Sequence, residues 1–244
     1  MILVSKSQIK LITSLQQKKY RNKLGLFIAE GPKVINELLT AGLSLHSLFS
    51  TQEHLFEVED VQVISNIELD KISSLKSANN SLAVFNIPTQ KPVIKNSLTI
   101  ALDAIRDPGN LGTIIRLCDW FGVKQLVCSL DTVDCYNPKV IQATMGSIAR
   151  VNAVYLELSE YLKENNLPIY GGCMSGASVY NQKLPKNAVI VLGNEANGIS
   201  DKIDSLLTNK VTIPQFGEQK ETESLNVATA TAILLSEFRR LTEK

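Results

Sequence analysis

From residue 98 onward the chain carries a series of near-continuous apolar runs, at 98–104, 125–129, 153–156, 169–173 and 188–192. A strand with one face in water alternates apolar and polar residues, whereas a strand covered on both faces need not. Runs of this kind call for a sheet with helices on both sides, and helical stretches at 111–121, 138–148 and 225–241 accompany them. In the first of these, Leu111, Ile114, Ile115, Cys118 and Phe121 recur at helical spacing and make one core-facing stripe. Alternation of helices with buried strands predicts an α/β fold on a mostly parallel sheet. Ligands in such sheets gather where loops leave the carboxyl ends of the strands. That directs attention to residues 106–112, 193–200 and 214–224.

The amino-terminal part repeats the alternation on a smaller scale. A helical stretch at 7–15 places Ile9, Ile12 and Leu15 on one side, and 26–29 is strand-like. Gly31-Pro32 opens a helix through Val34, Ile35, Leu38 and Leu39, which Gly42 closes. Short strands are expected at 45–49, 61–64 and 82–87. Pro88-Thr89-Gln90-Lys91-Pro92 has two prolines and no periodicity, and marks the end of this unit. The chain thus divides into a small α/β domain at 1–90, a linker at 91–97 and a larger domain at 98–244, and 244 residues suffice for both.

Several function classes fall away. At 44% hydrophobic and 20% charged, the chain has an ordinary globular composition. No apolar run approaches the roughly 18 residues of a membrane span. The start, Met1-Ile2-Leu3-Val4-Ser5-Lys6, lacks the basic and long apolar regions of a signal peptide. A cytoplasmic protein without a membrane partner is expected. Cys118, Cys128, Cys135 and Cys173 form no C-x-x-C pair, and His46 and His54 lie far from them, so neither a metal site nor a disulfide framework is expected. No G-x-G-x-x-G follows a strand and no P-loop occurs. With no G-x-S-x-G and no histidine beyond residue 54, serine-hydrolase chemistry in the larger domain lacks its base.

The three loops carry the remaining signal. Arg106-Asp107-Pro108-Gly109-Asn110-Leu111-Gly112 is turn chemistry between a strand and a helix. At about 100° per residue, Arg116 falls opposite the core stripe of that helix, where a guanidinium can meet a phosphate. By residue type alone it is a solvated charge. In Leu192-Gly193-Asn194-Glu195-Ala196-Asn197-Gly198-Ile199-Ser200, two glycines let backbone approach a ligand closely. Val211-Thr212-Ile213-Pro214-Gln215-Phe216-Gly217 leads to Ser224-Leu225-Asn226-Val227-Ala228-Thr229-Ala230. Ser224 or a neighbour is placed to cap a final helix whose core stripe is Val227, Leu234, Leu235, Phe238 and Leu241.

Together, in this order, the loops resemble the three motifs of the SpoU (TrmH-like) family of RNA ribose 2′-O-methyltransferases: N-x-G-x-x-x-R, G-x-E-x-x-G and I-P-M…S-L-N-V-x-x-A. Ala143-Thr144-Met145-Gly146-Ser147 is similar to that family as well. The third motif departs from the pattern, with Gln215 in place of methionine and a long spacer at 216–223. The resemblance implies a parallel-sheet α/β-knot (SPOUT) domain whose carboxyl-terminal segment forms a trefoil knot. It implies S-adenosylmethionine held by Gly193, Ile213 and Leu225, with Met174 and Ser175 as further contacts. It assigns catalysis to Arg116, Asn110, Glu195, Ser224 and Asn226: Asn110 fixing the first loop and touching the ribose, Glu195 positioning Arg116 or Asn110, and Ser224 and Asn226 completing the pocket. An arginine with a pKa above about 12 is no free base. Arg116 is therefore expected to bind the neighbouring phosphate and ease formation of the alkoxide, with phosphate or water taking the proton.

Net charge is only +1, but Lys6, Lys10, Lys18, Lys19, Arg21 and Lys23 precede the first acid, Glu30. Charge alone reads as a solvated helix face. Lys19-Tyr20-Arg21 through Gly25, Phe27, Glu30 and Gly31 resembles the family's substrate-binding domain, which is similar to ribosomal protein L30. That likeness turns Lys18, Lys19, Arg21 and Lys23 into expected RNA contacts. It further implies a homodimer through the larger domain and, by analogy, ribosomal RNA of the 23S type rather than transfer RNA as substrate. The rival readings are a transfer RNA enzyme, an RNA-binding protein with a dead catalytic domain, and a small-molecule α/β enzyme. Loss of any catalytic-motif residue would favour the second, and all five are present. The third leaves the basic amino-terminal domain unexplained.

Overall fold

The computed structural model describes residues 3–217 and 224–240. They form two compact units, one of residues 3–89 with 134–149 and one of residues 90–133 with 150–217 and 224–240.

The first unit begins with helices α1 (Lys6–Ser14) and α2 (Lys18–Leu24), followed by β1 (Leu26–Glu30), α3 (Pro32–Thr40), β2 (Leu45–Ser50), β3 (Val61–Val63), α4 (Asn66–Ile72) and β4 (Ser81–Asn86). Its sheet runs β1-β4-β2-β3, antiparallel except for the β2–β3 pair. Local chemistry explains the helix starts. Ser5 and Gln8 form a reciprocal capping box at α1, and the Ser65 side chain accepts from Glu68 N at α4. Pro32 opens α3 after Gly31, whose φ of 82° is costly for a residue with a Cβ. The helices bury Ile12, Leu15, Leu69 and Ile72 against Ile28, Phe49, Leu82 and Val84 of the strands.

The second unit holds β5 (Thr99–Leu102), α5 (Pro108–Trp120) and β6 (Gln125–Cys128) before the chain passes through α6 (Pro138–Thr144). It then continues with β7 (Asn152–Tyr155), α7 (Leu158–Lys163), β8 (Ile169–Ser178), β9 (Val189–Leu192), α8 (Asp201–Asp204), β10 (Asn209–Thr212) and α9 (Val227–Arg240). The sheet is parallel throughout, in the order β10-β8-β9-β5-β6-β7. β5, β6 and β9 are buried at every residue, as the unbroken apolar runs predict. The strand order reverses beside β5: β6 follows on one side and β9 lies on the other. Such a switch point opens a crevice at the carboxyl ends of the strands.

Three features differ from the sequence expectation. β10 is an additional strand; it lies at the sheet edge and begins with the exposed polar pair Asn209-Lys210, so it carries no apolar run. β8 extends to Ser178. Its pairing with β10 jumps from Lys210↔Gly171 to Val211↔Ala177, so residues 172–176 leave the ladder as a bulge. Residues 134–149, read as part of the larger domain, pack with the first unit. The Tyr136 ring lies 5.0 Å from Phe27, and Gln142 Nε2 donates to Glu30 O at 2.8 Å. Apolar periodicity identified this helix but could not say which sheet it covers.

Candidate active site

α5 begins where β5 delivers the chain. Asp107 caps it, its Oδ1 accepting from Asn110 N at 2.7 Å, and Pro108 occupies the first turn, where a missing N–H costs nothing. Leu111, Ile114, Ile115 and Cys118 are buried, while Arg116 is exposed on the other face. Among the described residues Arg116 has no hydrogen-bond or ion-pair partner. It stands six positions beyond Asn110, about 9 Å further along the helix axis.

The second loop leaves β9 and closes on itself. Asn194 and Gly198 exchange backbone hydrogen bonds of 2.9 and 2.8 Å. A Cβ on Gly193 would sit 2.1 Å from the Gly198 carbonyl carbon, so no side chain is tolerated there. Glu195 projects from this loop and accepts a hydrogen bond from Asn110 Nδ2. Of the two partners the sequence offers it, the glutamate is joined to Asn110.

Asn226 caps α9. Its Oδ1 accepts from Ala228 N at 3.0 Å and Thr229 N at 3.2 Å. The expected cap, Ser224 or a neighbour, is thus the neighbour, and Leu225 lies outside the helix. The remaining half of the Asn226 amide donates to Asn110 Oδ1 at 2.9 Å. One residue from each motif therefore joins a chain from Asn226 through Asn110 to Glu195. α9 buries Val227, Leu234, Leu235 and Phe238, the last edge-on to Tyr170 at 5.2 Å, and Leu241 of the expected stripe lies outside the described residues.

Behind this chain of amides is a cleft of about 660 Å³. Gly193, Ile213, Leu225, Met174 and Ser175, the five residues expected to hold a cofactor, all line it, with Glu195 and Ser224. Asn110, Asn226 and Arg116 are not among its lining. Met174 and Ser175 reach the wall because they sit in the β8 bulge, which Thr212 Oγ1 pins by donating to Met174 O at 3.1 Å. No sequence signal marks that bulge except the small residues Gly172, Ser175 and Gly176. The wall also includes residues the sequence did not single out, Cys173 and Lys210 among them. Burial pushes the Cys173 thiol up, and the Asp204 carboxylate beside Lys210 raises its ammonium, so one stays protonated and the other charged near neutrality. Val227, Ala230 and Leu234 add apolar surface, giving a slot in which a flat heterocycle can be buried against backbone polar groups. Among the described residues, no group of three or more His, Cys, Asp or Glu is placed to hold a metal ion.

The basic segment of the first unit is divided by burial. Lys18, Lys19 and Lys23 are exposed on α2. Arg21, expected to contact RNA, is only 2% exposed. Its Nε and Nη2 donate to Asp134 Oδ2 at 2.8 and 2.5 Å, and its Nη1 to Leu15 O at 2.8 Å. This corrects the sequence expectation: the guanidinium is consumed by a buried ion pair within the first unit and is not available to a phosphate.

The geometry agrees with what known proteins show. Residues 97–236 match the SpoU rRNA Methylase family, and residues 6–83 match the MRM3-like substrate binding domain. The 23S rRNA (guanosine(2553)-2′-O)-methyltransferase RlmP of Bacillus subtilis (strain 168) is 28% identical over 235 residues, covering 92% of this chain and 93% of that protein. A TrmH-family protein from Porphyromonas gingivalis superposes with a TM-score of 0.89 at 36% identity, over 98% of this chain and 100% of the other. An AdoMet-bound rRNA methyltransferase from Sinorhizobium meliloti superposes with a TM-score of 0.86 at 26% identity, over 99% and 98%. With a family match over more than half its length, and with one residue of each motif joined in the hydrogen-bonded chain Asn226–Asn110–Glu195, the chain belongs to the SpoU rRNA methylase family.

Proposed function

We propose that this protein transfers a methyl group from S-adenosylmethionine to a ribose 2′-hydroxyl of ribosomal RNA of the 23S type. The observation that carries the reading is the amide chain Asn226–Asn110–Glu195 at the mouth of a cleft lined by Gly193, Ile213, Leu225, Met174 and Ser175. The cleft suits the cofactor: its volume lies in the usual range for small-molecule sites, and its apolar slot fits an adenine. When bound, S-adenosylmethionine supplies an electrophilic methyl on a sulfonium.

The chain's own residues then orient and polarise the acceptor. Asn110 is held from both sides, so its position does not depend on the substrate. Preorganised groups of this kind need no rearrangement when the reaction occurs. Arg116, exposed on α5, binds the phosphate next to the target ribose and stabilises the alkoxide as the hydroxyl proton leaves to phosphate or water. Ser224, exposed at the rim, completes the pocket.

The finer architecture belongs to the same proposal. The carboxyl-terminal segment through α9 forms a trefoil knot, a reading supported by the return of β10 and α9 to the cleft built by β8 and β9. The first unit is an L30e-like domain that binds structured RNA, supported by its match to a substrate-binding family and by exposed Lys18, Lys19 and Lys23. The protein acts as a homodimer through its larger domain. Arg116 lies outside the cleft lining of its own chain, as expected if a second copy completes the site. The activity is cytoplasmic, a reading supported by the similarity to a bacterial 23S rRNA methyltransferase.

The test is transfer of labelled methyl from S-adenosylmethionine to total RNA by wild type and by Arg116→Ala. Label recovered as a 2′-O-methyl nucleoside from ribosomal RNA, and lost in the variant, supports the reading. Label in transfer RNA alone keeps the chemistry and replaces the substrate. Absence of label despite cofactor binding leaves an RNA-binding protein. A monomer at micromolar concentration in sedimentation would remove the dimer.

A further inference from the structure

The loops that carry Asn110 and Glu195 are laced together at three levels. Deepest, Asp103 Oδ2 accepts from Ser200 N at 2.8 Å, with Asp103 itself buried at the end of β5. Next, Asn194 Nδ2 donates to Ala104 O at 2.7 Å. At the rim, Asn110 donates to Glu195. Only the last of these involves motif residues read as catalytic.

Two observations mark the inner levels as built for the purpose of holding the second loop. Ala104 has a φ of 58°, a left-handed backbone that costs energy in any residue with a Cβ. Both of its backbone polar groups are satisfied: N donates to Ser129 Oγ at 2.9 Å and O accepts from Asn194. The second loop, closed by its Asn194–Gly198 pair, is also tightened by Asn194 Oδ1, which accepts from Ala196 N at 2.9 Å. Whatever fixes Asn194 and Ser200 therefore fixes Glu195, which lies between them.

We propose that Asp103 and Asn194 are positioning residues for methyl transfer, setting the separation of the two loops so that Glu195 meets Asn110. The role rests on the methyl-transfer reading above. Asp103 is buried and holds Ser200 N, so it acts through the loop that bears Glu195. Asn194 also lines the cleft, but both halves of its amide are engaged by Ala104 O and Ala196 N, which ties its side chain to the same loop. The one backbone N–H that Asp103 holds across the two loops is that of Ser200.

Asp103→Ala removes the acceptor for Ser200 N, whereas Asp103→Asn keeps an oxygen there. Asn194→Asp keeps the oxygen that accepts from Ala196 N but loses the donor facing Ala104 O. In methyl transfer to RNA by the full chain, Asp103→Ala and Asn194→Asp each lower kcat by about 10- to 100-fold, the scale of a misplaced reacting group. For Asp103→Ala, at a residue outside the cleft lining, the KM for S-adenosylmethionine moves less than kcat, and Asp103→Asn recovers most of the rate. In a Glu195→Ala background, Asp103→Ala costs little further, because residues acting through one another are not additive. Circular dichroism checks the fold; if Asp103→Ala does not fold, Asn194→Asp and its cycle with Glu195→Ala carry the same test. A folded Asp103→Ala or Asn194→Asp chain with wild-type kcat overturns the role, as does a full additive loss without Glu195. A wild type that labels no RNA breaks the underlying reading, whereas wild-type transfer unchanged by Asp103→Ala breaks the positioning role alone.

Discussion

In the first unit the charged groups that shape the fold are buried and paired: Arg21 with Asp134, and Glu30 with the Ser73 and Ser74 hydroxyls and the Ser74 N–H. In the second unit the polar groups of the three motifs, Glu195, Asn226 and Arg116, are exposed. A charge taken out of water costs several kcal/mol and persists only where partners return that cost. A charge left at the surface loses little by exchanging water for a ligand. The difference teaches that burial separates structural ions from working ones. Asp103 stands between the two groups: it is buried as in the first unit, but it holds a loop of the catalytic cleft.

The contrast can be broken at its strongest point by Arg21→Met, which strands the Asp134 carboxylate. Denaturant unfolding should show a loss of about 3–5 kcal/mol, and a loss below that of a surface pair, about 1 kcal/mol, would place Arg21 with the working charges. Arg116→Ala should leave stability unchanged and lower methyl transfer by about 10²–10³-fold, the cost of removing one preorganised charge. A variant that is unstable but active when folded would reverse the assignment. The paired change Lys19→Ala with Lys23→Ala sharpens the comparison within α2. Stability should stay within about 0.5 kcal/mol, while RNA affinity falls and the slope of log affinity against log salt shrinks by roughly one for each phosphate no longer neutralised. The smallest effect expected is that of pH. Both histidines lie in the first unit, Cys173 is pushed up by burial and Lys210 is raised by Asp204. The rate of methyl transfer should be flat from about pH 6 to 9, where ordinary carboxylates are charged and raised thiols and amines keep their protons. A steep rise across that window would reveal an ionising base in the cleft.

Much of the second unit was legible because its signals are local. The apolar runs at β5, β6 and β9 follow from burial on both faces, and the residues of the three loops carry turn and capping chemistry that spacing alone exposes. Even there, the identity of the α9 cap was open between Ser224 and its neighbours until Asn226 was seen to accept from Ala228 N and Thr229 N. β10 was missed because an exposed edge strand has no apolar run to show. The β8 bulge was missed because nothing in Gly172-Cys173-Met174-Ser175-Gly176 says that β10 will skip it.

The sequence by itself determined the fold class, the order of the apolar strands and of the longer helices, and the residue types brought to the three loops, since periodicity and turn chemistry are properties of neighbours along the chain. Only the tertiary structure decided that Arg21 is an internal ion, that Glu195 holds Asn110, and that Asp103 and Asn194 lace the loops together. These partners lie 85 to 113 positions apart. A hydrogen bond or ion pair across such a distance leaves no periodic trace, because its energy depends on the burial and geometry that the whole fold creates.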